Sequence, residues 1–196
     1  MKKLIISFLF LSLFSASELN AQCRKNKTIN KSHYELATSQ KCGINNRDST
    51  ELSYLFNYYT GLGRMASGNF VKYGSEFYCY LDFIISNCEN FNITSTNPLE
   101  FYLSNMESIK VFPCGNASGI YSGLADYSMQ CFYKISREDL EKLGKFEVLQ
   151  IKIYYTASKM IDRSQVGQDG SYFLEFEVKE SYHKWIVSAA NCLLNK

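Results

Sequence analysis

Two prolines and two histidines in 196 residues set the first limits on this chain. Pro98 and Pro113 leave no proline-rich linker, and no tandem repeat or low-complexity tract divides the sequence, so one domain is expected. His33 and His183 give zinc chemistry little to build on. A zinc site needs three or four convergent Cys, His or carboxylate ligands, and no C-x-x-C or H-x-x-x-H pair occurs. A Ser or Cys nucleophile would have His183 as its one candidate base, without a G-x-S-x-G elbow or a cysteine-protease signature. No block of five like charges occurs, and no apolar run reaches the roughly 20 residues that a spanning helix requires.

What is present begins with a leader. Lys2 and Lys3 precede an apolar run from Leu4 to Phe14, the pattern of a secretory signal peptide. Cleavage after Ala21 is expected, with Ser15-Ala16-Ser17 as an earlier alternative. A lipoprotein cut would fall before Cys23 and leave Gln22 where the processing enzyme needs a small residue, so the chain is expected to be exported and soluble rather than lipid-anchored. Losing residues 1–21 removes Lys2, Lys3 and Glu18, leaving 19 basic against 18 acidic side chains. A net charge of +1 on that count argues against nucleic acid or an anionic membrane surface as the main partner.

Aromatic residues make up 15% of the chain, with 15 Tyr and 14 Phe, which tilts the expectation toward sheet. The ordinary reading is a Tyr-rich β core; the sharper one is an exposed aromatic face that takes a ligand or partner. Residues 22–46 read as an irregular, polar segment, with residues 47–196 as a globular domain. "DSTELSYLFNYY" has Asp48 and Glu51 at capping-box spacing and Leu52, Leu55, Phe56 and Tyr59 on one helical face, so a helix ending at Gly61 and Gly63 is expected. "FYCYLDFII" alternates from Phe77 to Ile85 and predicts a central strand. Tyr78, Tyr80 and Asp82 lie on its second face as a possible binding surface.

"LEFYL" and "SIKVF" predict a hairpin, and "CGNASGIYSG" a long surface loop. "YSMQCFYKI" predicts a strand with Met129, Cys131, Tyr133 and Ile135 on one face. Ser136 and Asp139 open a short connecting helix stopped at Gly144. "EVLQIKIYYTA" and "SYFLEFEVK" predict the last two strands, the second with Glu175 and Glu177 toward water. Trp185, Ile186, Ala189, Cys192 and Leu193 share one face of a terminal helix that should pack on the sheet. The fold class is α+β, with a mainly antiparallel sheet of about six strands.

No cofactor site follows from the motifs. "GLGRMASG" precedes no helix, so neither a dinucleotide fingerprint nor a phosphate loop is supported. The stretch from Asp162 to Phe173 lacks the oxygen ligands of a calcium loop at Val166 and Phe173, and reads as a turn. The four N-x-S/T sites at Asn26, Asn30, Asn92 and Asn116 exceed only slightly the roughly two or three this composition gives by chance, and are weak evidence for glycosylation. Of seven cysteines, Cys79, Cys131 and Cys192 fall on core faces, and Cys23, Cys42, Cys88 and Cys114 in loops. In an oxidising compartment the loop cysteines are disulfide candidates, with Cys23–Cys42 and Cys88–Cys114 the favoured pairing.

The leader ending "LNAQ", and an alternating strand followed by "SREDLEKLGKFEVLQIKIYY", a hairpin and a terminal helix, resemble small exported proteins of Bacteroidetes bacteria. The resemblance covers roughly residues 99–196. It implies an envelope or extracellular location and carries over no functional residue. The functional expectation is an exported, non-enzymatic binding or interaction module of the bacterial cell envelope with a protein or glycan partner. The alternative is a secreted hydrolase using His183 or a carboxylate pair such as Asp82 and Glu175.

Overall fold

The computed structural model describes residues 31–42, 52–59, 64–86, 91–123, 126–158, 160 and 164–195. The leader and its cleavage site, Cys23, Cys88, Asn26, Asn30, the Asp48–Glu51 box, Gly61 and Gly63 lie outside them. Among the described residues the order is α1 (Lys31–Ser39), β1 (Leu52–Tyr59), β2 (Arg64–Tyr73), β3 (Glu76–Ser86), β4 (Phe91–Ile93), β5 (Leu99–Leu103), β6 (Ser108–Pro113), β7 (Ala117–Ser118), β8 (Ile120–Gly123), β9 (Asp126–Ile135), α2 (Arg137–Lys145), β10 (Val148–Ala157), β11 (Gln165–Val166), β12 (Tyr172–Glu177) and α3 (Glu180–Leu194). The strands run β1-β2-β3-β9-β6-β5-β10-β12-β11, with β4, β7 and β8 attached at the sides. The described pairings are antiparallel. The α+β class stands, with twelve strands in place of about six.

The added strands come from segments short on regular pattern. "DSTELSYLFNYY" contains β1, not a helix: Leu52–Tyr59 pairs along its whole length with Arg64–Tyr73. The same residues also alternate (Leu52, Tyr54, Phe56, Tyr58), and their aromatics favour a pleated strand once a partner strand is available. The helix near the amino terminus is α1 instead, inside the segment expected to be irregular. β4, β7 and β8 are two to four residues long and arise within stretches expected to be loops.

Elsewhere the patterns hold. β5 and β6 form the expected hairpin, closed by a turn in which Met106 takes a left-handed φ of 68°. Ser136 caps α2, its Oγ accepting from the Asp139 N–H at 3.0 Å. Gly144 is not the stop; the helix runs to Lys145, and the Phe146 N–H bonds the Lys142 carbonyl. Gly144 is needed for another reason, since a Cβ there would lie 2.6 Å from Asn191 Oδ1 of α3. That close approach lets Asn191 Nδ2 donate to the Gly144 carbonyl and ties the two helices together.

β6 joins the two halves of the sheet. Its residues 108–111 pair with β5, while Phe112 and Pro113 pair with Lys134 and Tyr133 of β9. The main core lies inside the resulting curve: Phe77, Cys79, Leu81 and Phe83 of β3 meet Cys131 and Tyr133 of β9, Phe101 of β5 and Ile153 of β10. Leu140 and Leu143 of α2, with Ile186, Ala190 and Leu193 of α3, close it. Trp185 does not join them; it is 43% exposed and packs edge-on against Tyr182 at 5.3 Å. Among the described residues no helix is long and apolar enough to cross a membrane.

A second cluster lies on the opposite face of the same strands. Val71, Tyr73, Tyr78, Tyr80 and Phe132 are buried there with Ala37 and Cys42 of the amino-terminal segment. Phe132 is fully buried, with Tyr80, Tyr78 and Tyr73 ring centroids at 5.1, 6.2 and 6.4 Å. Phe132→Ala is expected to cost about 3–5 kcal/mol of stability by leaving a cavity between helix and sheet. Urea denaturation checks this, and a loss below about 1 kcal/mol would show that the cluster contributes little.

Candidate functional site

The outer face of β6, β5, β10 and β12 carries a row of alternating charge. Register places Lys110 opposite Glu100, Glu100 opposite Lys152, and Lys152 opposite Glu175. Opposite charges directly across a sheet attract, each such pair contributing roughly 0.2–1 kcal/mol. The contacts follow: Lys110 Nζ lies 3.6 Å from Glu100 Oε1, and Lys152 Nζ lies 3.5 Å from Glu175 Oε2. Glu100 is only 3% exposed, and its second oxygen accepts from Tyr154 Oη at 3.1 Å. A buried carboxylate needs such partners to be held in place.

Aromatic rings flank the row. Lys152 Nζ sits 4.6 Å from the Tyr102 ring centroid and 4.8 Å from that of Phe173, and Tyr154 packs on Phe173 at 5.3 Å. Burial alone would lower the Lys152 pKa, but the Tyr102 phenol and the Glu175 carboxylate together outweigh it and leave it raised. Burial, and then the neighbouring Glu100 charge, push the Tyr154 phenol well above its ordinary range. Lys152 therefore stays an ammonium and Tyr154 a neutral hydroxyl at physiological pH.

Two rigid turns wall this face into a groove of about 510 Å³. In the first, the side-chain Oδ1 of Asn97, a residue 7% exposed, accepts from Thr94 N and Oγ1 at 2.8 Å and from Thr156 Oγ1 at 3.1 Å. That fixes the backbone entering Pro98. In the second, Asp169 Oδ1 accepts from the N–H and hydroxyl of Ser171, and Gly170 takes a φ of +80° that a side chain would strain. The groove thus presents ammonium, carboxylate, phenol, amide and hydroxyl groups beside ring faces.

A second groove, of about 790 Å³, is lined by Lys72, Glu76, Phe112, Lys134 and Arg137 among others. Its cations are largely engaged: Lys134 Nζ meets Glu76 Oε2 at 2.7 Å and Arg137 Nε meets Glu141 Oε1 at 3.0 Å. It offers fewer groups with a buried, fixed geometry than the first.

The residues singled out from sequence fall elsewhere. Tyr78 and Tyr80 are 1% and 5% exposed, covered by the amino-terminal segment, so they form core instead of a binding face. Tyr78 Oη donates to the Cys42 carbonyl at 2.9 Å. Asp82, at the margin, accepts from Gln130 Nε2 at 3.2 Å. His183 is held structurally, with Nε2 2.7 Å from the Val178 carbonyl oxygen and Nδ1 3.4 Å from Glu147 Oε2. Among the described residues, His183, Asp82 and Glu175 line neither of these two grooves. Glu175 serves Lys152.

The cysteines also depart from expectation. Among the described residues Cys42, Cys79, Cys114 and Cys131 are free thiols. Cys192, expected as a core thiol, is buried in the main core and is disulfide-bonded. With Cys42 and Cys114 both free, neither favoured pairing is found for them. Burial pushes the Cys131 thiol up to about 12.

Glu100, Lys152 and Tyr154 were not legible as a site. The one signal was Glu100, a lone acid inside the apolar run "LEFYL". Glu100→Gln keeps its shape and removes its charge, so Tyr154 should ionise at lower pH than in the parent protein. Ultraviolet titration against a Tyr154→Phe control measures this. An unchanged midpoint would mean that Glu100 does not act on the phenol.

No protein-family model, curated protein or solved structure matches the chain.

Proposed function

We propose that the chain is an exported, non-enzymatic binding module of the bacterial cell envelope, and that its ligand is a glycan held in the groove over β5, β10 and β12. The observation that carries this reading is the combination of Glu100, Lys110, Lys152 and Tyr154 with the Tyr102 and Phe173 rings along one walled face. A saccharide offers hydroxyls that both donate and accept, and C–H faces that lie on aromatic rings. The groove answers both needs, with donors from the ammoniums, acceptors from the carboxylates, and both from the phenols. The ammoniums of Lys110 and Lys152 are balanced by Glu100 and Glu175, which favours an uncharged ligand over a polyanion. The leader and the small net charge support an envelope setting.

Binding is favoured over hydrolysis because the described groove carboxylates already have structural work. Glu100 holds Tyr154 and Lys110, and Asp169 builds its own turn. Titration with neutral oligosaccharides from cell walls and capsules, followed by calorimetry and by mass analysis for cleavage products, tests the reading. Binding without cleavage is expected, and Tyr154→Ala or Lys152→Ala should weaken it by about tenfold or more, the loss of one or two good polar contacts. Trp185→Ala, outside the groove, should leave it unchanged. Cleavage of the sugar, or equal binding by the groove variants, would sink the proposal.

A further inference from the structure

The amino-terminal segment packs on β2, β3 and β9, and meets β9 along the edge opposite β3, between its pairings with β6 and β8. β6 pairs with Tyr133 and Lys134, and β8 with residues 126–128. Gln40 fills part of the gap: its Oε1 accepts from the Phe132 N–H at 2.8 Å, and the side chain is 3% exposed. On the other side of the gap, Cys114 N–H donates to the Phe132 carbonyl at 3.0 Å. The residue after Cys114 passes so close that a Cβ on Gly115 would lie 2.2 Å from the Gln40 carbonyl oxygen. Gln40 and residues 114–115 are thus held together around Phe132 by contacts that do not involve sulfur. Cys42 lies in the cluster of Tyr78, Tyr80 and Phe132, and Cys114 packs against that same cluster.

We propose that Cys42 and Cys114 are a disulfide-forming pair, oxidised by exchange with an organic disulfide, whose bond fastens α1 over the outer face of β3 and β9. The two thiols differ in the way the reaction requires. The hydrogen bond from Cys42 holds the Cys114 pKa below its ordinary value; burial opposes this, and the Lys134 ammonium adds to the lowering. Cys42 is correspondingly raised, and Cys114 is the more accessible of the two. Cys114 thiolate attacks one sulfur of the oxidant, forming a mixed disulfide and expelling one thiolate. Cys42 then gives up its proton and attacks the Cys114 sulfur, forming the intramolecular bond and expelling the second thiolate. The two cysteines lose two electrons and two protons together, and the oxidant leaves as two thiols.

Cys79 and Cys131 are near but unsuited to the role. Both are buried in the main core, with pKa values raised by desolvation, and no disulfide oxidant reaches them in the folded chain. The inference is independent of the glycan groove, which shares none of these residues.

The test uses the purified full chain, treated with oxidised glutathione or with reductant, then alkylated in denaturant, digested and weighed. The oxidised sample is expected to yield one peptide pair joined through Cys42 and Cys114, absent in Cys42→Ser and in Cys114→Ser, with Cys79 and Cys131 recovered alkylated. Recovery of Cys42 and Cys114 both alkylated, or Cys42 joined to another cysteine, would overturn the assignment. Trypsin cleavage after Lys41, in the turn leaving α1, provides a second measurement that needs no variant. It should slow by about tenfold or more on oxidation, because the bond closes the opening that exposes the turn. Equal rates in both samples would show that the bond does not fasten α1.

Discussion

The structure depends on a strand pair that is buried on both faces. β3 has β2 on one side and β9 on the other, so its backbone is satisfied within the sheet. Its side chains alternate between two apolar environments, Phe77, Cys79, Leu81 and Phe83 on one face and Tyr78 and Tyr80 on the other. A sheet whose centre is apolar on both faces must be covered twice. Curving the sheet through β6 brings β5, β10, α2 and α3 over one face, and the amino-terminal segment is recruited for the other. Phe132 of β9 shows the cost of leaving that second cover off, since a fully buried ring would then meet water.

That arrangement explains where a polar, grooved surface remains. The strands farthest from the doubly buried centre have a polar outer face, and there the register sets Lys110, Glu100, Lys152 and Glu175 side by side. Their mutual pairing fixes long side chains that would otherwise be mobile. The two turns at Asn97 and Asp169 then add walls without adding secondary structure. A preformed polar groove loses less entropy on binding than one built from free lysines would.

Period was a good guide to the sequence where a segment satisfied one period alone. β3, β9, β10 and α2 stand as their alternation or caps predict, because burial and local geometry agree there. The segment from Leu52 to Tyr59 satisfied two periods at once, and the choice was made by β2, a partner that local pattern does not contain. Strands as short as Ala117–Ser118 exist only because a neighbour offers hydrogen bonds, so no internal periodicity marks them. The groove was hidden for a related reason. Glu100, Lys110 and Lys152 come from three strands, and only the pairing register makes them neighbours. Tyr78 and Tyr80 misled in the opposite sense, since an aromatic face is the same in sequence whether a helix covers it or not.

The hydrogen bond from Phe132 N–H to Gln40 joins residues 92 apart in the chain. Gln40 precedes every described strand of the sheet in sequence, yet the amide it satisfies belongs to one of the later strands. The segment around Gln40, made before the strands, therefore cannot reach its final position until β9 has been made and paired with β3. The amino-terminal segment begins first and docks late, so the order of residues along the chain is not the order in which the fold closes.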